Sequence, residues 1–228
     1  VLKVDGTLWC WGDNRSGQLG LGATDSRPLP VQVAPGVLGN QVSAAYAGGA
    51  HTCAVKSDGS VWCWGDNAEG QLGDGSTVNR NQPVQVSGLA SGVQAISVGQ
   101  MHACALKSDA TVVCWGDNAW GQLGDGTTID HLTPSTIPGL ANVVGLASSQ
   151  LNSCALIAGG TVKCWGNNTH GQLGNGTTTH STVPVTVSGL TGAADVRLFA
   201  AGACALKADK SVVCWGLNSS GQLGNGGN

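Results

Sequence analysis

Trp64-Gly65-Asp66-Asn67-Ala68-Glu69-Gly70-Gln71-Leu72-Gly73 is one of five versions of a single block, Trp-Gly-x-Asn-x-x-Gly-Gln-Leu-Gly. The others begin at Trp11, Trp115, Trp165 and Trp215, so successive copies stand 53, 51, 50 and 50 residues apart. A unit of about 50 residues is too short to bury a core alone, and repeats of that length stack to share one, as solenoids and propellers do. The spacing therefore decides the architecture before any residue is given a role.

Working outward from the block, each copy is preceded by a hairpin pattern, as in Cys104-Ala-Leu-Lys-Ser-Asp-Ala-Thr-Val-Val-Cys114. Small and apolar residues alternate in its first half, the centre is polar, and the second half is rich in Val and Trp. Ahead of the hairpin runs another apolar stretch, Val93 to Gly99 in the third copy, whose small and β-branched residues suit a crowded inner strand. After Gly-Gln-Leu-Gly comes a Gly/Asn/Asp/Thr loop and then Gln82-Pro83-Val84-Gln85-Val86, where a leading proline predicts an outer edge. Four strands per repeat, inner to outer, make one propeller blade. No segment keeps a helical apolar period, so the expected class is all-β.

These residues resemble a known family, the regulator of chromosome condensation repeats. The resemblance rests on the ten-residue block, on Asp-Gly-x-Val-x-x-Trp-Gly (Asp58 to Gly65) and on Gly-x-x-His-x-Cys-Ala-Val (Gly48 to Val55), and it covers nearly the whole chain. It implies four-stranded blades, five of them seen here, as part of a seven-bladed ring. The expected single domain over 1–228 divides into blade 1 at about 1–35, blade 2 at about 41–88, blade 3 at about 93–139, blade 4 at about 142–189 and blade 5 at about 193–228. Blades 1 and 5 are expected to be incomplete. Kelch repeats would bring spaced tyrosines, and the chain has one tyrosine; WD40 repeats would end in Trp-Asp rather than Trp-Gly.

Eight of the nine cysteines stand ten apart across the hairpin turns: Cys53 and Cys63, Cys104 and Cys114, Cys154 and Cys164, Cys204 and Cys214. Members of such a pair face each other on one side of an antiparallel ladder, close enough for a disulfide. Each bridge would contribute roughly 2–3 kcal/mol by closing a short loop. The same alignment puts Val1 opposite Ala54, so the partner expected for Cys10 falls just ahead of residue 1. No Cys-x-x-Cys occurs to suggest zinc, and buried free thiols are the remaining alternative. Disulfides imply an oxidising compartment, hence an extracellular, periplasmic or cell-surface protein, and with the resemblance above the expectation is a bacterial-type extracellular member of the family. No apolar run reaches the length of a membrane span.

Charged residues make up 10% of the chain and the net charge is -3, with no cluster of Lys or Arg. A nucleic-acid partner would call for a basic face, so none is expected, nor is the nuclear exchange-factor role of the family's founder. No Gly-x-Ser-x-Gly or His-Glu-x-x-His is present, and the expectation is a binding module rather than an enzyme. A polysaccharide-active propeller enzyme and a structural or adhesive repeat are the alternatives. No cofactor and no metal is expected; Asp66, Asn67 and Asp74, or Asp117, Asn118 and Asp125, could face a calcium ion but lack the spacing of an EF loop.

Residues common to every copy report the scaffold. The block tryptophans are expected between blades, and Asn14, Asn67, Asn118, Asn168 and Asn218, with the block glutamines, are expected to bond the turn backbone. His51 and His102 share one repeat position, which becomes Asn152 and then Gly202 or Ala203; a hydrogen bond at the strand start is the expected role. Function belongs where the copies differ. The two positions before each Gly-Gln-Leu-Gly vary, and Arg15, Glu69, Trp120 and His170 are the candidate binding residues, expected on one end of the disc. Trp120 stands out as a large apolar side chain in a glycine-rich loop. The expected partner is a protein or a glycan.

Overall fold

The computed structural model describes residues 1–227; residue 228, the end of the fifth expected blade, lies outside the described residues. The strands are β1 (Trp9–Gly12), β2 (Arg27–Gln32), β3 (Val42–Ala47), β4 (His51–Lys56), β5 (Val61–Gly65), β6 (Arg80–Gln85), β7 (Val93–Val98), β8 (His102–Lys107) and β9 (Val112–Gly116). They continue as β10 (His131–Thr136), β11 (Val143–Ser148), β12 (Asn152–Ile157), β13 (Thr161–Gly166), β14 (Ser181–Thr186), β15 (Ala193–Phe199), β16 (Gly202–Lys207) and β17 (Val212–Gly216), with no helix among the described residues. Three antiparallel sheets run in sequence order, β3 to β6, β7 to β10 and β11 to β14, flanked by the pair β1-β2 and the triple β15-β16-β17. The expected all-β propeller of four-stranded blades is what the chain forms.

The register puts the cysteines where their spacing demands. Cys53 lies directly opposite Cys63, Cys104 opposite Cys114, Cys154 opposite Cys164 and Cys204 opposite Cys214. All four pairs are disulfides, with Cα atoms 4.0–4.1 Å apart. Cys10 is a free thiol whose burial raises its pKa. Val1 and Trp9 exchange backbone hydrogen bonds, which gives Val1 the place Ala54 holds opposite Trp62.

Outer strands differ in one detail from the sequence expectation. β6 begins three residues ahead of Pro83, and the register shifts between the Gly65–Arg80 and Cys63–Val84 pairs. Pro83 sits within that bulge, where its missing N–H leaves no ladder bond unmade. Gly65 supplies the matching turn with a φ of 107°, a conformation open to glycine.

The core lies between sheets rather than within them. One apolar cluster joins Leu72 and Val86 to Ile96, Ala105 and Trp115 of the next sheet; another joins Leu123 and Ile137 to Ala155 and Trp165. A strap of backbone bonds ties the inner ends together, Gly49 N–H to Gln100 O at 3.1 Å and Gln100 N–H to Ser149 O at 3.2 Å. Trp11 on the first sheet and Val212 on the last have no sheet packed on them among the described residues, and they are 48% and 62% exposed.

Candidate binding face

The loop that follows each Trp-Gly is built around its asparagine. Asn67 Oδ1 accepts from Leu72 N–H at 2.9 Å, while Nδ2 donates to the Ser76 and Val78 carbonyls at 2.9 and 3.1 Å. Asn118 and Asn168 make the same bonds in their loops. One buried amide thus satisfies three backbone groups of a turn too irregular to satisfy its own. The following glutamine holds the tip: Gln71 Oε1 accepts from Glu69 N–H, Gln122 from Trp120 N–H and Gln172 from His170 N–H, at 2.9, 2.9 and 2.8 Å.

Each loop is then locked to the next blade. The buried indole N–H of Trp64 donates to Gln18 O, that of Trp115 to Gln71 O and that of Trp165 to Gln122 O, at 2.9, 3.0 and 2.8 Å. The last glycine of the block leaves room for the ring, since a Cβ at Gly124 would lie 2.7 Å from Trp165 Nε1. Trp64, Trp115 and Trp165 are fully buried. The variable tips therefore stand on a rigid base.

The four candidate tips fall in equivalent loops, after β1, β5, β9 and β13, at the same end of their sheets. Arg15 is exposed and paired with Asp13 at 2.9 Å. It occupies the first of the two variable positions; Ser16 is the true counterpart of Glu69, Trp120 and His170. Glu69 is half-buried, and burial together with Asp130 and Asp117 raises its carboxyl above the ordinary value. Trp120 is 40% exposed and meets His180 edge to face, with ring centroids 4.8 Å apart. His170 is exposed. Both contacts have one logic: a tip residue of one blade meets the residue at the Asp130 or His180 position of the next. The variation of the tips alone does not reveal this cross-blade pairing, which depends on which loop of one blade faces the next.

The acidic residues weighed as calcium ligands are engaged elsewhere. Burial alone would raise the Asp74 carboxyl, but hydrogen bonds from Ser76 and Arg80 hold it below its ordinary value. Asp125 accepts from Thr127 and lies 2.6 Å from His131 Nε2. Eight of the thirteen carboxylates nonetheless belong to these loops, Glu69, Asp117 and Asp130 among them, so this end is the acidic one.

The model of the RCC1-like domain matches residues 1–228, the full length of the chain. The chain belongs to the RCC1-like domain family. Among curated relatives it is 38% identical over 128 residues to human E3 ubiquitin-protein ligase HERC2, covering 56% of this chain and 3% of that protein. It is 31% identical over 143 residues to the Arabidopsis thaliana ultraviolet-B receptor UVR8, covering 62% and 32%. The chain thus spans less than a third of the length of either. Among solved structures, yeast RCC1 (Prp20) bound to Kap60 superposes with a TM-score of 0.83 at 26% identity, over 98% of this chain and 55% of that one. Human WBSCR16 gives 0.84 at 26% identity, over 95% and 58%. Prp20p of Saccharomyces cerevisiae, also described for its binding to Gsp1p and histones, gives 0.83 at 27%.

Within this RCC1-like fold the histidine position departs from expectation. Register assigns it to His51, His102, Asn152 and Gly202, each opposite the glycine of a Trp-Gly pair, which resolves the choice between Gly202 and Ala203. His102 Nε2 lies 2.8 Å from Ser153 Oγ on the next blade. His51 makes no hydrogen bond at either ring nitrogen. The expected strand-start bond is therefore absent at His51, and the reason is one residue: Ala103 stands where the following blade carries Ser153.

Proposed function

We propose that this RCC1-like chain is a protein-binding module whose specificity lies in the variable loop tips at the acidic end of the blades. The observation that carries the reading is the contrast within each loop. Every repeated residue is spent on the turn or on the next blade, whereas Arg15, Trp120 and His170 project without a structural task of comparable weight. A half-exposed tryptophan on a rigid base is the kind of side chain that anchors interfaces. Membership in a family whose solved members include Prp20 bound to Kap60 supports a protein partner by analogy of fold.

The same reading places the protein in an oxidising compartment, secreted or at a cell surface, because four hairpin disulfides are stable there and rare in reducing cytosol. The test couples both parts. The chain, displayed with its disulfides intact, is cross-linked to surface and secreted proteins, and a captured partner is titrated against Trp120→Ala/His170→Ala. Affinity should fall at least about tenfold, the usual scale of an interface anchor. A partner that tolerates the double change yet is lost on altering Asp58, Asp109 and Asp209, in the hairpin turns of the opposite end, would overturn the assignment of the face.

A further inference from the structure

His51 and His102 are buried ionisable groups that the binding face does not use. Both sit at the inner ends of neighbouring blades, 1% and 0% exposed, beside the backbone strap that ties Gly49 to Gln100 and Gln100 to Ser149. A Cβ at Gly48 would lie 2.7 Å from His51 Nδ1, and one at Gly99 would lie 2.5 Å from His102 Nδ1 and 2.5 Å from Ser149 O. The rings are thus wedged against the residues that open the strap.

The surroundings of His102 favour a neutral ring in either tautomer. Ser153 Oγ lies 2.8 Å from His102 Nε2 and 3.1 Å from Gln122 O, so it can accept from Nε2 while donating to Gln122, or donate to Nε2. Nδ1 has no partner in either arrangement. The doubly protonated ring would therefore carry an Nδ1–H that nothing is placed to receive. At His51 neither nitrogen has a partner, so its charged form would be left bare on both sides.

We propose that His51 and His102 form an acid-sensitive latch, closing blades 2, 3 and 4 at their inner ends when neutral and releasing them when protonated. The groups around the rings do nothing to rescue the cation. Tyr46 on β3 faces Cys53, whose sulfur is tied up in a disulfide. Cys10 and Asp13 share a cavity wall with His51. The backbones of Asp66 and Asp117 bond the carbonyls of Ala50 and Met101, each one residue ahead of its histidine. No carboxylate is among the groups acting on either ring: burial lowers His51 to about 4, and burial with repulsion from His51 lowers His102 to about 3. Strands β7 and β11, packed beside β8, carry no ionisable side chain.

The sign follows from these directions. Both rings titrate lower in the folded chain than their ordinary value of 6.5, so their contribution is complete above that pH and is lost as the pH falls toward 4. As the pH falls, each histidine raises the ratio of unfolded to folded chain by up to about tenfold per pH unit, and the pair by about 600-fold between pH 7 and pH 5. Blade 4 offers a built-in replacement, since Asn152 occupies the same place and cannot titrate there.

Denaturant unfolding of the full 228-residue chain at pH 7 and pH 5, disulfides intact, should show that loss in the parent and only a small remnant in His51→Asn/His102→Asn. The protection of the Gly49 and Gln100 amides against exchange, taken relative to the base-catalysed intrinsic rate at each pH, should fall in acid in the parent and not in the double variant. NMR titration of the ring Cε1 protons in the parent serves even if the variants fold poorly, and both rings should stay neutral at pH 5. A ring that titrates near 6.5, a double variant with the parent's pH dependence, or strap protection indifferent to acid would overturn the latch.

Discussion

Trp115, near the end of β9, and Trp120, in the loop that follows, stand five residues apart and do opposite things. Trp115 recurs in every blade, is fully buried, and spends its indole N–H on Gln71 O of the preceding blade. Trp120 occurs in one blade, is 40% exposed and meets its neighbour's variable residue, His180, in an edge-to-face contact. The lesson is that in a repeat protein the useful distinction is not residue type but recurrence. What recurs is consumed by the interface between blades, and what varies is left for recognition.

The strongest challenge to this division is a recurring residue that turns out to be dispensable. Trp165→Ala, which empties the interface between blades 3 and 4 and removes the indole donor to Gln122 O, should cost about 3–5 kcal/mol in denaturant unfolding. Next in size is a staple internal to one blade: Cys104→Ala/Cys114→Ala should lose about 2–4 kcal/mol relative to the oxidised parent. That loss should vanish when both proteins are compared in reductant. Smaller again is the turn amide. Asn118→Ala leaves Leu123 N–H and the Thr127 and Ile129 carbonyls without their partner and should cost about 1–3 kcal/mol. The smallest change adds rather than removes. Ala103→Ser gives the interface between blades 2 and 3 the hydroxyl that Ser153 provides to the next one, and it should stabilise by about 1 kcal/mol through a bond to His51. A neutral or adverse result there would show that the two interfaces are not built alike.

The scaffold was readable because the repeat states it five times, and because hairpin registry follows from local spacing. Ten residues between cysteines sufficed to place Cys53 against Cys63, and a proline sufficed to mark the outer strand. The finer features are long-range. The bulge that shelters Pro83 depends on the glycine that ends β5, fifteen or more residues away in sequence. The pairing of Trp120 with His180 joins positions sixty residues apart, and the bond from His102 to Ser153 spans 51. Reading them required knowing which face of one blade meets the next. The signal was present all the same: aligned copies show Ala103 and Ser153 alternating beside His51 and His102, and the two variable loop positions are always one blade apart when they meet.

Family membership fixes the blade and leaves the tips free, so the account stands or falls on the tips being dispensable for folding. Side-by-side denaturant unfolding of Trp115→Ala and Trp120→Ala tests this most directly, because the two changes remove the same side chain from positions five residues apart in one block. The account predicts a loss of about 3–5 kcal/mol for Trp115→Ala and less than about 1 kcal/mol for Trp120→Ala. Losses of equal size would contradict it, making Trp120 part of the core and leaving the proposed binding face without its anchor.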